Sequence, residues 1–218
     1  MYEQNRKKNI DFFNKYFPSY NKVDKSKLQI TTEGIYSVSG FAAASFISKI
    51  IFKIFKTNKI TITDGTANNG SDSIMFAILF KKVNSIELED VNYKVLKNNL
   101  HQYKLNNVST FKGSSLEIIS RLKQDVIFID APWKKSNKGY EILKIYLYKN
   151  VKNNSEKIEI SEIYNMFRKR CRLIIFKVPI YYDFGYFFTH TKVKKFTIVP
   201  FHNEKNRILF HYILCLTK

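Results

Sequence analysis

Apolar residues follow two regimes along this chain, and the change comes near Lys59. Before it the spacing is helical. Ile10, Phe12, Phe13, Tyr16 and Phe17 cluster within a polar segment, predicting a short helix over 3–17 that Pro18 closes. A basic stretch, Lys22 to Lys27, comes next. Phe41, Ala44, Ile47, Ile50, Ile51 and Ile54 then recur with the period of a helix over 41–55. Residues 1–57 are expected to form a small N-terminal helical extension.

After Lys59, short β-branched runs alternate with helical segments. Strands are predicted at 60–63, 85–88, 108–112 and 126–129, with helices at 71–80, 91–103 and 115–122 between and after them. Such alternation implies right-handed βαβ units and a largely parallel sheet, an α/β domain over 58–218. A polar stretch around Lys149 to Glu156 reads as a loop, followed by a helix over 161–170 and the strongest strand of the chain, 173–178, which Pro179 stops. Two closing strands, 196–199 and 208–216, flank a polar turn at His202 to Asn206 and should pair antiparallel.

Composition narrows the partner. With 37 Lys and Arg against 18 Asp and Glu, the 218-residue chain carries a formal charge of +19, which suits a polyanion such as nucleic acid. The 44% hydrophobic fraction, with 19 Phe and 14 Tyr, excludes a disordered polymer. Cys171 and Cys215 both sit in apolar runs, so neither a disulfide framework nor a thiolate metal site is expected. The four histidines are scattered without ligand spacing, and no metal is expected. No signal-peptide core and no membrane span are visible, which points to an intracellular protein in the nucleus, the cytoplasm or a viral factory. A monomer is expected.

In an open parallel sheet, ligands lie beyond the carboxyl ends of the strands. After the first strand comes Asp64-Gly65-Thr66-Ala67-Asn68-Asn69-Gly70, where two glycines permit close approach of backbone to ligand and Asn68 tolerates a left-handed conformation. The second strand ends in Glu87-Leu88-Glu89, about 20 residues further on, where an acidic side chain can accept from both hydroxyls of a ribose. The loop lacks the Gly-x-Gly-x-x-Gly spacing of a dinucleotide site, so a nucleoside cofactor without phosphates fits better. The fourth strand ends in Asp130-Ala131-Pro132-Trp133. Methyl transfer to a base amine needs an acceptor for the amine and a flat surface for the base plane. Asp130 and the Pro132 carbonyl supply acceptors, and Trp133 supplies the surface, with cation–π attraction for a 7-methylated guanine. Lys134, Lys135 and Lys138 follow, and are candidates for phosphate contacts.

These blocks together resemble the trimethylguanosine synthase family, the RNA cap guanine-N2 methyltransferases. Glu33-Gly34-Ile35-Tyr36-Ser37-Val38 is similar to the family's Glu-Gly-Trp-Phe-Ser-Val segment, and Asp64 through Ala77 to its cofactor loop and helix. Glu87-Leu88-Glu89 running to Asn98-Asn99 resembles Asp-x-Asp followed by Arg-Asn-Asn, and Asp130-Ala131-Pro132-Trp133 resembles Ser/Asp-Pro-Pro-Trp. Val178-Pro179 and Asp183-Phe184 resemble later family motifs. The sequence departs from the family at Asn68, Ser71, Ser114, Ala131, Lys134 and Lys135.

The resemblance implies a Rossmann-like class I methyltransferase with seven mostly parallel strands, helices on both faces and S-adenosylmethionine as cofactor. It implies that Asp64, Gly65, Thr66, Asn68, Gly70, Glu87, Ser114 and Ser39 border the cofactor, with Ser114 near its adenine. Trp133, Lys134, Lys135, Tyr20 and Tyr36 would meet capped RNA, and Asp130, Pro132 and Trp133 would carry direct methyl transfer to the guanine N2. Two alternatives stand beside this reading: N6-adenine methylation of DNA or RNA, which uses similar motifs, and a non-catalytic RNA-binding subunit, which the altered loop positions would suit.

Overall fold

In the computed structural model, which describes residues 6–133, 144–149 and 156–217, the chain divides into two units, Met1–Lys112 and Gly113–Lys218. In the first, α1 (Arg6–Tyr16), α2 (Gly34–Ser37) and α3 (Phe41–Phe55) precede β1 (Thr61–Asp64), α4 (Ser71–Leu79), β2 (Lys82–Glu87), α5 (Asp90–Gln102) and β3 (Val108–Lys112). The three strands are parallel, with Ile62 opposite Val83 and Ser85 opposite Thr110. Helix α1 stops ahead of Pro18, as the ring's clash with the preceding residue requires. Its Phe13 and the following Phe17 are buried in one cluster with Ile74 of α4 and Leu96 and Leu100 of α5. The buried Tyr103 hydroxyl donates to the Pro18 carbonyl at 2.6 Å, and burial pushes its pKa up. Helix α1 thus shares a core with α4 and α5.

The second unit holds α6 (Ser115–Ile118), β4 (Val126–Ile129), β5 (Tyr146–Tyr148), β6 (Lys157–Glu159), α7 (Ile160–Phe167), β7 (Leu173–Pro179), α8 (Phe184–His190), β8 (Lys195–His202) and β9 (Ile208–Leu216). Every residue of β4 and β7 is buried, which is why these strands, Lys177 apart, read as apolar runs. β4 pairs parallel with β7, and β9 runs antiparallel to both β7 and β8. The closing hairpin turns where Asn203 Oδ1 accepts from the backbone N–H groups of Lys205 and Arg207, at 3.0 and 2.9 Å. The seven-stranded, mostly parallel sheet has the order β3-β2-β1-β4-β7-β9-β8.

Two features have no counterpart in the sequence reading. The antiparallel pair β5–β6, with Leu147 opposite Ile158, has strands of three residues, too short to show a period of two. Helix α8 carries the aromatic run Phe184–His190, whose composition favours a strand; Asp183 starts the helix by accepting from the Tyr186 N–H at 2.8 Å. Among the described residues, no helix is long and apolar enough to cross a membrane, and no group of His, Cys, Asp and Glu could hold a metal ion. Cys171 and Cys215 are both buried free thiols.

Candidate active site

Asp64 ends β1 fully buried, and its carboxylate shapes the turn that follows. Oδ1 accepts from the Thr66 N–H at 3.2 Å and Oδ2 from the Ser73 hydroxyl of α4 at 2.6 Å, while Ser85 of β2 donates to Ser73 at 2.8 Å. The chain then enters the left-handed region twice, at Asn68 (φ 47°) and Gly70 (φ 97°). A side chain at Gly70 would be strained by that backbone, and its Cβ would lie 2.9 Å from Leu96 Cδ1.

Glu87, at the end of β2, is 7% exposed. Its Oε2 accepts from the Asn68 N–H and its Oε1 from the Glu89 N–H, both at 2.7 Å. Burial raises the carboxyl above its ordinary value of 4.5, and the N–H groups of Glu89 and Asn68 oppose the rise. A carboxyl raised in the folded state contributes stability that is complete below its unfolded value and is lost as pH rises through the folded one. Glu87→Gln is therefore expected to flatten the decline in stability that sets in as pH climbs past 4.5, read from denaturant midpoints measured at successive pH values. A decline identical to that of the unmodified chain would contradict this.

The segment before α3 is tied to this turn by amide side chains. Asn68 Nδ2 donates to Ser37 Oγ at 2.8 Å. Asn69 Oδ1 accepts from the Thr31 N–H at 3.0 Å, and Thr31 Oγ1 donates to Asn92 Oδ1 at 2.8 Å. Asn99 donates from Nδ2 to the carbonyls of Gln29 and Asn69 and accepts the Gln29 N–H at 2.8 Å. Gly34 sits so close that a Cβ would lie 2.0 Å from Asn69 Oδ1. Sequence reasoning overlooked Ser37, Asn69, Asn92 and Asn99 as supports of the loop; Asn92 and Asn99, buried on α5, lie two turns apart, the spacing of one helix face.

Asn68 Oδ1 is buried with no hydrogen-bond partner among the described residues. Of the other residues expected near the cofactor in this unit, Gly65 and Ser39 are buried and Thr66 is partly buried. Tyr36 is 88% exposed, whereas Tyr20 packs against the Phe13–Phe17 cluster.

In the second unit, Ser114 is buried ahead of α6 and its hydroxyl donates to the Tyr148 carbonyl at 3.3 Å. At the end of β4, Asp130 Oδ2 accepts from Lys177 Nζ at 2.7 Å, with side-chain exposures of 13% and 6%. Lys177 Nζ also lies 4.7 Å from the centroid of the Phe210 ring. A buried ammonium is tolerated only when paired, and here β7 delivers it to the strand-end carboxylate. Ala131 is buried, Pro132 exposed and Trp133 half-buried. Lys134, Lys135 and Lys138 lie outside the described residues. Lys177 was absent from the sequence expectation, although a single cation inside an apolar strand was there to be noticed.

Residues 59–195 match the model of a family described as RNA cap guanine-N2 methyltransferase. The chain is 28% identical over 219 residues to the uncharacterized protein L320 of Acanthamoeba polyphaga mimivirus, covering 88% of this chain and 82% of the relative. Among solved structures, a protein assigned as a methyltransferase from Porphyromonas gingivalis W83 aligns with a TM-score of 0.67 at 13% identity over 88% of this chain and 44% of its own. Trm5b from Pyrococcus abyssi aligns with a TM-score of 0.56 at 18% identity, over 93% of this chain and 55% of its own. The chain thus spans less than two thirds of either structure.

Proposed function

Given that this chain belongs to the RNA cap guanine-N2 methyltransferase family and is an S-adenosylmethionine-dependent RNA methyltransferase, we propose that it methylates the exocyclic N2 amine of 7-methylguanosine caps. The observation that carries the reading is the end of β4, where Asp130, pinned by Lys177, precedes the half-buried Trp133 by three residues. A carboxylate and an indole so placed on one short segment suit an amine on a flat purine.

The loop after β1 fits a nucleoside cofactor. Its left-handed turn at Asn68 and Gly70, the Glu87 carboxylate and the unsatisfied Asn68 Oδ1 offer a tight backbone bend and acceptors for hydroxyl or ammonium groups. When bound there, S-adenosylmethionine supplies an electrophilic methyl group. Glu87 would hold the ribose hydroxyls, with Asp64, Gly65, Thr66, Asn68 and Gly70 along the loop, Ser39 from the N-terminal segment and Ser114 toward the adenine. Trp133 stacks on the base, helped by the positive charge of a 7-methylated ring. Asp130 and the Pro132 carbonyl accept from the amine and fix its lone pair, and the displaced proton leaves through Asp130. Orientation dominates such catalysis, because the amine is a weak nucleophile. Lys134 and Lys135 contact cap phosphates, and Tyr20 and Tyr36 approach the cap from the N-terminal side. The chain works as a monomer, and its mimivirus relative is compatible with action in a viral factory.

Incubation with 7-methylguanosine-capped RNA and labelled cofactor, then digestion to nucleosides, tests this. Label in N2-methylated 7-methylguanosine is the expected result. Label in N6-methyladenosine would overturn it, as would calorimetry showing no binding of S-adenosylmethionine at millimolar concentration.

A further inference from the structure

Away from the loop after β1, the first unit carries a cavity of about 310 Å³ between the second half of α5 and β3. Lys97, His101 and Lys104 line one side, Asn106 and Thr110 add polar groups, and Leu100 contributes to an apolar lining. Lys97 and His101 lie one turn apart on one face of α5, and Lys104 follows just beyond its end. All three are exposed. Among the described residues, none of them has a carboxylate within ion-pair distance, whereas the neighbouring Lys94 and Lys112 both pair with Asp90. Positive charge is therefore compensated toward the start of α5 and uncompensated at the cavity.

We infer that this cavity is a second RNA contact, binding the phosphodiester backbone of an RNA strand. Charge complementarity selects the occupant: the chain carries +19 overall, and three basic groups without a carboxylate partner, set around hydrogen-bonding Asn106 and Thr110, match phosphate oxygens and ribose hydroxyls. About 6 Å of helix rise separate Lys97 from His101, and Lys104 extends the basic lining beyond the end of α5. No Phe, Tyr or Trp lines the cavity, so it would hold the backbone without stacking on bases. Such a contact retains long transcripts and leaves the chemistry at the cap untouched. The RNA identity of the occupant rests on the methyltransferase reading, but its binding can be measured without turnover.

The test pairs Lys97→Glu with Lys104→Glu in the full chain. Fluorescence anisotropy with an uncapped, labelled 20-nucleotide strand is followed across salt concentrations. The double variant is expected to bind at least tenfold more weakly at low salt, and the slope of log affinity against log salt should shrink by about 1.4, roughly 0.7 for each phosphate no longer neutralised. Methylation of a 7-methylguanosine dinucleotide should keep its kcat and KM, while KM for a long capped RNA rises. An unchanged salt slope and RNA affinity, at an unchanged melting temperature, would overturn the inference, and the cavity would then suit an acidic protein. Failure of the unmodified chain to methylate the dinucleotide would count against the cap reading alone, because the anisotropy arm does not depend on it.

Discussion

Trp133→Ala is expected to weaken binding of 7-methylguanosine-capped RNA by about five- to 150-fold, the span of roughly 1–3 kcal/mol that a stacked base contributes. The indole is half-buried, so truncation removes limited core packing and the melting temperature should move little. Affinity for an unmethylated guanosine cap should fall less, because that ring lacks the positive charge that adds cation–π attraction. Trp133→Phe retains a flat face and should recover part of the loss. Titration of the two cap dinucleotides by fluorescence quenching or calorimetry, alongside turnover, reads all three effects. Equal affinities for the tryptophan and alanine forms would remove the indole from the cap site.

The largest stability effect is expected at Lys177. Lys177→Ala strips the Asp130 carboxylate of an ammonium at 2.7 Å in a site where both side chains are nearly buried. Breaking a buried ion pair from one side costs about 3–5 kcal/mol, a large share of the roughly 5–15 kcal/mol that stabilises a typical domain. Replacing both partners with apolar residues, Lys177→Met with Asp130→Leu, removes the unpaired charge and should restore most of the unfolding midpoint. Methyl transfer should not return, since the double variant has no carboxylate at the end of β4. A double variant as unstable as Lys177→Ala would show that the ion pair is not the source of the loss; one that is fully active would take Asp130 out of the chemistry.

Strands β4 and β7 were readable from sequence because burial on both faces writes them as apolar runs, at 126–129 and, Lys177 apart, at 173–178. Motif residues at strand ends were readable for the same topological reason: Asp64, Glu87 and Asp130 each close or directly follow a strand. What supports them was not. Lys177 and Asp130 are 47 positions apart, and Asn69 and Thr31 are 38 apart, distances over which a single sequence carries no pairing information. The packing of Tyr20 against the Phe13–Phe17 cluster was equally hidden, because its place beside a motif says nothing of which core it meets. The pair β5–β6 was hidden by its brevity, since three residues of mixed polarity fit strand, turn or helix equally.

The amide contacts around Asn69 bear on how this enzyme could be dismantled. The family match begins at residue 59, yet Gln29, Thr31 and Ser37 supply partners to Asn99, Asn69 and Asn68. A catalytic fragment trimmed to the matched region would leave the amides of Asn69 and Asn99 facing solvent or one another, and the bend at Asn68 and Gly70 would lose its outer brace. The minimal transferase is therefore longer than the stretch the family model matches, and any chimera that borrows another protein's N-terminal segment must bring matching partners for those amides.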